Sequence, residues 1–216
     1  VVDRKTEAEL AVTGCADLIE TDAPGAILFD IGGGSSELAW LDFRGGRPRN
    51  QGKTAASIRS WQSLPVGVVS IAEKFGGVDV TPEIFEAMVN HVTDQLRHFR
   101  GREKLRGMLA SHPVHFLGKV DGLWMHADDV DATMRVLLAM SYDKRTSNPC
   151  IGKERADLVI PGCAIFEAIR REWPCQRIRV ADRGLREGIL ISMMSEDRVW
   201  MRGRPGRRRR GASNAK

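Results

Sequence analysis

The sequence predicts an α/β fold, and three patterns support that prediction. Two short apolar segments, 26–29 and 38–43, are typical of strands and flank a turn of three glycines. A longer stretch, 82–99, repeats its apolar residues with the period of a helix. Further helical patterns follow, so strands come early in the chain and helices late. With 216 residues, 42% of them hydrophobic, the chain can form a core.

The first predicted elements are a helix, the hairpin of those two strands, and a third strand. The helix is expected over 6–20, with the Thr6 hydroxyl as its N-cap and acidic residues in its first turn. The polar stretch 42–53, rich in glycine and arginine, is typical of a loop. A third strand is expected over 57–64.

The later elements are mostly helical. A short helix is predicted over 69–75, and a longer one starts at Pro82 with Thr81 as its N-cap. The buried face of the longer helix is predicted to contain Phe85, Met88, Val89, Val92, Leu96 and Phe99. Beyond it we expect a strand at 112–117, helices at 130–142 and 155–173, a strand at 177–181 and a helix at 185–194.

The glycine turn is the best candidate in the sequence for a binding site. The turn and its neighbours are Asp30, Gly32, Gly33, Gly34, Ser35, Ser36 and Glu37. Glycines lack a Cβ, so three in a row let backbone N–H groups converge on a small anion such as phosphate. Carboxylates on both sides can hold a divalent cation or a water, as an enzyme acting on phosphoanhydrides requires. For three glycines alone, a plain hairpin turn is the alternative.

Composition and motif spacing argue against several classes of protein. No run of about 18 apolar residues is present, so no membrane span is expected. The four cysteines show no zinc or CxxC spacing, a usage typical of the reducing cytoplasm. The glycine turn leads into a strand rather than a helix, so it does not match the dinucleotide-binding fingerprint.

The segment 199–216 carries the basic character of the chain, with seven Lys or Arg residues and no acid. Subtracting these seven charges from the net charge of +5 leaves −2 for residues 1–198. Such a segment is predicted to be a disordered tail that makes weak, non-specific contact with nucleic acid. A solubilising terminus without a partner is the alternative.

Several segments together resemble the exopolyphosphatase/guanosine pentaphosphate phosphatase family, over about residues 1–194. They are 6–14, the glycine turn, 63–68, 152–165 and 180–190. The resemblance implies a ribonuclease H-like, actin-type domain with a mixed sheet and flanking helices. Members of that family have two such domains with a phosphate site between them. Residues 1–198 resemble the second domain with a hinge helix at its start, and we expect the first domain to be absent from this chain.

The resemblance also implies roles for single residues. Glu7 corresponds to the catalytic acid that takes a proton from water, although an ordinary first-turn helix acid is the alternative. Asp30 and Glu37 correspond to acids that hold Mg²⁺, and Glu37 also to a catalytic acid that positions water. The implied phosphate-binding residues are Gly32, Gly33, Gly34, Ser35, Ser36, Gly118 and Arg155. An exposed ion pair is the alternative for Arg155. About twenty residues of the family pattern are not found after Gly118.

The function implied by the resemblance is that of a cytoplasmic, Mg²⁺-assisted hydrolase. It would release the terminal phosphate of inorganic polyphosphate or of guanosine pentaphosphate, and the sequence does not choose between them. One alternative is a module that binds polyphosphate or (p)ppGpp without turnover. The other is an actin-like, ATP-dependent kinase. Expected partners are the substrate, the first domain of the same protein, and a second copy in a homodimer.

Overall fold

The fold was analysed in a computed structural model that describes residues 3–19, 24–44, 57–99 and 122–196. Its strands are β1 Gly25–Ile31, β2 Ser36–Asp42, β3 Ile58–Leu64, β4 Trp124–His126 and β5 Arg177–Arg179. Its helices are α1 Arg4–Cys15, α2 Val68–Phe75, α3 Pro82–Leu96, α4 Ala127–Ala139, α5 Tyr142–Ser147, α6 Val159–Glu172 and α7 Leu185–Glu196, with a 3₁₀ turn at Ala16–Leu18. β1, β2 and β3 form one antiparallel sheet in that order, and β4 pairs with β5 in a second.

The three-stranded sheet separates two hydrophobic layers because side chains alternate along each strand. On one face, Ile27 and Leu38 pack in a large core with α3 and α6. Phe29 continues this layer, with its ring centroid 5.9 Å from that of Phe166 in α6. On the other face, Ala39 packs in a smaller core with Val12 of α1. The sheet is therefore covered on both faces.

Helix α1 packs on the face of the sheet that carries the smaller core. Val12 lies in that core, and Ile19, just after the helix, packs there with Ala26 and Phe43. Phe43 N donates to Pro24 O at 2.8 Å, which places this end of the sheet at the start of β1.

Helices α1 and α7 approach each other at the backbone. A Cβ on Gly188 would overlap the carbonyl group of Leu10, 2.6 Å from its carbon. A Cβ on Gly14 would lie 2.9 Å from Gly188 N. Cys15 Sγ also donates to Arg183 O at 3.1 Å, just before α7. The close contact requires glycine, because any other residue places a Cβ where the partner backbone lies.

Most predicted elements are confirmed, with ends that differ by a few residues. Asp3, rather than Thr6, is the N-cap of α1: its Oδ1 accepts from Lys5 N at 2.9 Å and from Thr6 N at 3.0 Å. The cap of α3 is confirmed, since Thr81 Oγ1 accepts from Ile84 N at 3.3 Å. The predicted buried face of α3 is confirmed at every position, and Phe99 is buried after the helix.

Two helix predictions were too long. The helix expected over 130–142 is two helices, because Met140 is extended and the Ser141 hydroxyl caps α5, accepting from Lys144 N at 3.4 Å. The helix expected from 155 starts at Val159, after a series of turns. The strand expected at 177–181 is confirmed as β5, whereas its partner β4, only three residues long, was not predicted.

Other predictions fall on residues that the structure does not describe. They are the strand at 112–117, most of the loop at 42–53 and the tail at 199–216. The pairs between described strands are antiparallel, so the mixed character expected of the sheet is not tested by them. Within the described ranges, no helix has the length and apolar content that crossing a bilayer requires.

Candidate active site

The glycine turn closes the β1–β2 hairpin and brings two carboxylates together. Asp30 pairs directly with Glu37, and Ile31 pairs with Ser36 in the next position. Directly opposite residues of antiparallel strands have Cβ atoms about 4.5–5.5 Å apart. Because Asp30 lies two residues beyond Leu28, both carboxylates occupy the face of the sheet that α1 covers.

The electrostatics of this pair favour a cation. Asp30 is exposed at the surface, yet nearby protein atoms displace part of the water around its carboxylate; this partial desolvation, followed by repulsion from the charge of Glu37, raises the pKa of Asp30. Among the described residues, no Lys or Arg forms an ion pair with either carboxylate. A proton or a metal ion would therefore relieve the repulsion between them.

Two hydroxyl groups fix the orientation of Glu37. Ser35 Oγ donates to Glu37 Oε1 at 2.8 Å, and Ser63 Oγ donates to the same oxygen at 2.9 Å. Within the part of the chain that the structure describes, Oε2 accepts no protein hydrogen bond. Glu37 is thus held at one oxygen, and the other is available to a water or a cation.

Ser63 was not among the residues predicted for the site. It lies in β3 directly opposite Glu37, which explains the contact. The sequence contained one signal for it, since Ser63 begins a segment that carries the family resemblance. Its pairing with Glu37 depends on the register between β2 and β3, which the sequence does not define.

Helix α2 supports the glycine turn from behind. Val68 N donates to Gly32 O at 2.9 Å, and Val69 N donates to Gly33 O at 2.8 Å. Gly32 N donates to Ser35 O at 2.9 Å and closes the turn. These bonds occupy the carbonyl groups on the α2 side.

The turn also presents donors suited to an anion. Gly33 and Gly34 are exposed, and the N–H groups of Gly33, Gly34 and Ser35 donate to no backbone acceptor among the described residues. A Cβ on Gly34 would meet nothing within 4 Å, so the space beside it is open. Unpaired N–H groups in an open turn can bind a phosphate group.

Ser36 does not belong to the phosphate-binding set. Its side chain is 0% exposed, and its Oγ donates to Val66 O at 2.6 Å. A hydroxyl that is buried and already bonded cannot reach a ligand. The prediction for Ser36 is corrected: it fastens the start of β2 to the segment that leads into α2.

Glu7 is not in direct contact with this group of residues. It is half-buried on α1. Its carboxylate makes no hydrogen bond or ion pair with any other described residue. No set of three His, Cys, Asp or Glu side chains within the described ranges is close enough to hold a metal ion, so Asp30 and Glu37 form a pair that Glu7 does not join.

Arg155 is not brought to the glycine turn. Its neighbour Asp157 packs against Gly77, which follows the C-terminal end of α2, whereas the N-terminal end of α2 contacts the turn. At 1.5 Å per residue, the eight residues of α2 separate these positions by about 12 Å. Arg155 is exposed, and its contact with phosphate stays a prediction. Gly118 lies outside the described residues.

Solved structures share this fold. An exopolyphosphatase-like protein matches with a TM-score of 0.68 at 19% identity, over 91% of this chain and 68% of that one. An exopolyphosphatase from Cytophaga hutchinsonii matches with a TM-score of 0.67 at 19% identity, over 91% and 65%. A PPX-GPPA enzyme of Aquifex aeolicus matches with a TM-score of 0.66 at 19% identity, over 89% and 64%.

The chain thus spans about two thirds of the length of these structures. The likeness confirms the predicted α/β fold of the actin-like type. No curated protein sequence matches the chain. A sequence profile of the Ppx/GppA phosphatase family matches residues 1–197, which is most of the chain. The chain belongs to the Ppx/GppA phosphatase family.

Proposed function

We propose that this chain carries the phosphate-binding half of a hydrolase that releases the terminal phosphate of inorganic polyphosphate or guanosine pentaphosphate. The observation that supports it most is the β1–β2 hairpin, which places unpaired N–H donors and two adjacent carboxylates at one turn. Membership of a phosphatase family supports the same reaction type and does not favour the kinase alternative.

The reaction needs the terminal phosphate to be held while water attacks it in line. The N–H groups of Gly33 and Gly34 would bind its oxygens and stabilise charge that develops there. Glu37, held at Oε1 by two hydroxyls, would orient the attacking water with Oε2. Glu7 would take the proton of that water as general base. Its carboxylate would reach the water through a shift of α1 or once the substrate is bound.

Asp30 and Glu37 fit a bound Mg²⁺, because the pKa of Asp30 is raised by desolvation and by the charge of Glu37. Mg²⁺ commonly keeps several waters and takes only one or two carboxylates together with phosphate oxygens. When bound, it would supply positive charge to neutralise the phosphate oxygens. Without Mg²⁺, the negative charges of the two carboxylates and of the phosphate would repel one another.

A measurement of phosphate release from polyphosphate tests this proposal. We expect Glu7→Gln to lower the rate by about 10²-fold or more, as for loss of a general base. Glu9→Gln is the matched control, since Glu9 lies on the same helix and pairs with Lys5 at 3.7 Å on the surface. Equal rates for the parent chain and Glu7→Gln would remove Glu7 from the mechanism.

The second candidate is a binding module without turnover. It is favoured by the separation of Glu7 from Asp30 and Glu37, since no three acidic side chains among the described residues come together. Calorimetric titration with polyphosphate distinguishes the two. Binding with no phosphate released would support the module, whereas binding with steady phosphate release supports the hydrolase.

A further inference from the structure

The segment that starts α2 determines which way the peptide groups of the glycine turn face. Val68 N donates to Gly32 O at 2.9 Å, and Val69 N donates to Gly33 O at 2.8 Å. Ser70 N also approaches Gly33 O, at 3.4 Å. Two consecutive carbonyl groups of the turn are therefore directed at the N-terminal end of α2.

The direction of these carbonyls sets the direction of the N–H groups. The peptide bonds of the described residues are trans, so the C=O and N–H of one peptide point to opposite sides. The Gly32 carbonyl shares its peptide with Gly33 N–H, and the Gly33 carbonyl shares its peptide with Gly34 N–H. Both N–H groups therefore point away from α2, side by side.

The same arrangement strengthens both donors. The N-terminal end of a helix carries partial positive charge from its aligned peptide dipoles. Here the first N–H groups of α2 bond to the two turn peptides, which continue that alignment. Hydrogen bonds in series polarise one another, so the N–H groups of Gly33 and Gly34 become better donors to an anion.

Gly67 makes this contact possible. Its φ of −140° and ψ of 175° are extended values that any residue adopts, so its backbone does not require glycine. The space around Gly67 does require glycine, because a Cβ there would overlap Gly33 O and lie 2.6 Å from Gly32 O. Ser70 Oγ fixes Gly67, accepting from Gly67 N at 2.8 Å and donating to Gly67 O at 3.0 Å.

We propose that α2 directs the N–H groups of Gly33 and Gly34 toward the bound phosphoryl group, and that Gly67 and Ser70 are positioning residues for this site. The proposal rests on the proposed function for the identity of the anion. The orientation of the turn, in contrast, is a property of the chain without any ligand.

The first test compares two glycine variants of the full chain by calorimetry with inorganic tripolyphosphate in Mg²⁺. We expect Gly67→Ala to weaken binding by about tenfold or more, because one charge-assisted hydrogen bond is lost. Gly77→Ala is the matched control, since its Cβ would overlap the Asp157 carbonyl at the other end of α2. It should destabilise the chain but change affinity by less than about twofold. Unchanged binding by Gly67→Ala, or an equal loss in Gly77→Ala, would overturn the proposal.

Glycine amide NMR gives a readout that needs no ligand. In Gly67→Ala, but not in Gly77→Ala, the amide signals of Gly33 and Gly34 should move. If the parent chain binds no tripolyphosphate, the proposed function fails, and these signals alone decide on the positioning role. Signals that stay in place in Gly67→Ala would contradict it.

A second pair of variants applies if Gly67→Ala does not fold. Ser70→Ala removes the hydroxyl that holds Gly67, and we expect it to weaken tripolyphosphate binding about threefold, the lower end of the value of a hydrogen bond. Ser70→Thr keeps the hydroxyl and should restore binding. Where the parent binds no tripolyphosphate, the Gly33 and Gly34 amide signals replace affinity: they should move in Ser70→Ala and return in Ser70→Thr. No difference among the parent and both variants would overturn the role of this residue.

Discussion

Glu37 is the residue on which the candidate site depends most, because its two oxygens have different surroundings. Ser35 and Ser63 donate to Oε1, at 2.8 and 2.9 Å. A carboxylate fixed in this way does not rotate between equivalent positions, so Oε2 keeps one direction. In the proposed reaction, this arrangement would prepare Glu37 to orient a water before any substrate binds.

Removing the Ser63 hydroxyl tests this arrangement. We expect Ser63→Ala to lower phosphate release by about tenfold, because a hydrogen bond to a charged group contributes about 1.5–3 kcal/mol and part of it is retained by Ser35. Ser63→Thr should keep most of the activity. Ser60→Ala is the control on the same strand, on the opposite face. A Ser63→Ala variant as active as its parent would show that the hydroxyl has no part in the reaction.

The raised pKa of Asp30 leads to a prediction for stability against pH. The folded chain holds this proton more tightly than the unfolded chain, so the free energy of unfolding falls as pH rises from the unfolded pKa through the raised one. Above the raised pKa, the folded chain bears the full free-energy cost of a charged Asp30 carboxylate. We therefore expect Asp30→Asn to raise the melting temperature at pH 7 without metal, by the equivalent of at most about 1 kcal/mol.

Thermal denaturation from pH 4 to pH 8, with and without Mg²⁺, checks this prediction. The parent chain should be stabilised by Mg²⁺, and more strongly at high pH, because proton and metal ion compete for the same carboxylates. Asp30→Asn should lose most of that stabilisation. A variant that melts below its parent at pH 7 without metal would contradict the assigned repulsion.

At the residue scale, the sequence identified the groups next to the glycines and missed those that come from elsewhere. Asp30 and Glu37 were predictable because one hairpin turn separates them along the chain. Ser63 was not, since its contact depends on strand register set after a long connection. Ser36 was placed wrongly, because side chains alternate and it faces the interior.

Among the elements, α1 and α7 make a close backbone contact, at Gly14 and Gly188. Gly188 lies against the Leu10 carbonyl, with no room for a Cβ. We expect Gly188→Ala to lower the free energy of unfolding by about 1–3 kcal/mol, the usual cost of overpacking. Chemical denaturation measures the change. Gly184→Ala is the control, because a Cβ there meets nothing within 4 Å. Equal stability of the two variants would show that the helices separate without cost.

Arg145 joins three elements and gives a second prediction at this scale. Its Nη1 donates to Gly77 O and to Ala156 O, both at 2.9 Å, and its Nη2 donates to Val78 O. Arg145→Met should destabilise the chain by about 2–4 kcal/mol, because three carbonyl groups near the core lose a donor. Urea denaturation checks this, with exposed Lys144→Met as the control. A loss below that of the control would mean that water replaces the guanidinium without penalty.

Long elements were predicted more completely than the shortest ones. The 15 residues of α3 repeat their apolar positions over several turns, so both its cap and its buried face were found. The six residues of α5 and the three of β4 provide no period to detect. The turn-to-helix boundary at Val159 was missed because the residues just before it, Arg155, Ala156 and Asp157, are compatible with the first turn of a helix.

For the molecule as a whole, the thiol groups report on the integrity of the core. Burial raises the pKa of Cys163 to about 11 and that of Cys175 to about 12, and Cys15 is buried. Cys150 alone of the four cysteines is exposed. At pH 8 we expect one thiol to react quickly with a thiol reagent in the native chain and four after unfolding, because the thiolate is the reactive form. Two or more fast thiols in the native chain would show that the larger core opens readily.

The fold class and the family could be read from the sequence as a whole, since both depend on patterns that repeat or recur over long stretches. The position of Glu7 relative to Asp30 and Glu37 could not, because it depends on the path of α1 across the sheet. The backbone contact between α1 and α7 could not be predicted from the sequence either. The glycines of that contact lie more than 150 residues from their partners along the chain and meet them only in space. No local sequence pattern therefore marks them.

The register of the β1–β2 hairpin also limits which movements of the molecule could change the candidate site. Donors and both carboxylates belong to one turn and its two adjoining strands, tied together by main-chain bonds. Any hinge motion would move the donors and both carboxylates together as one rigid unit, without changing the distances between them. In the proposed reaction, turnover would then be controlled by groups that approach the hairpin from outside, and Glu7, which lies on the separate helix α1, would be one of them.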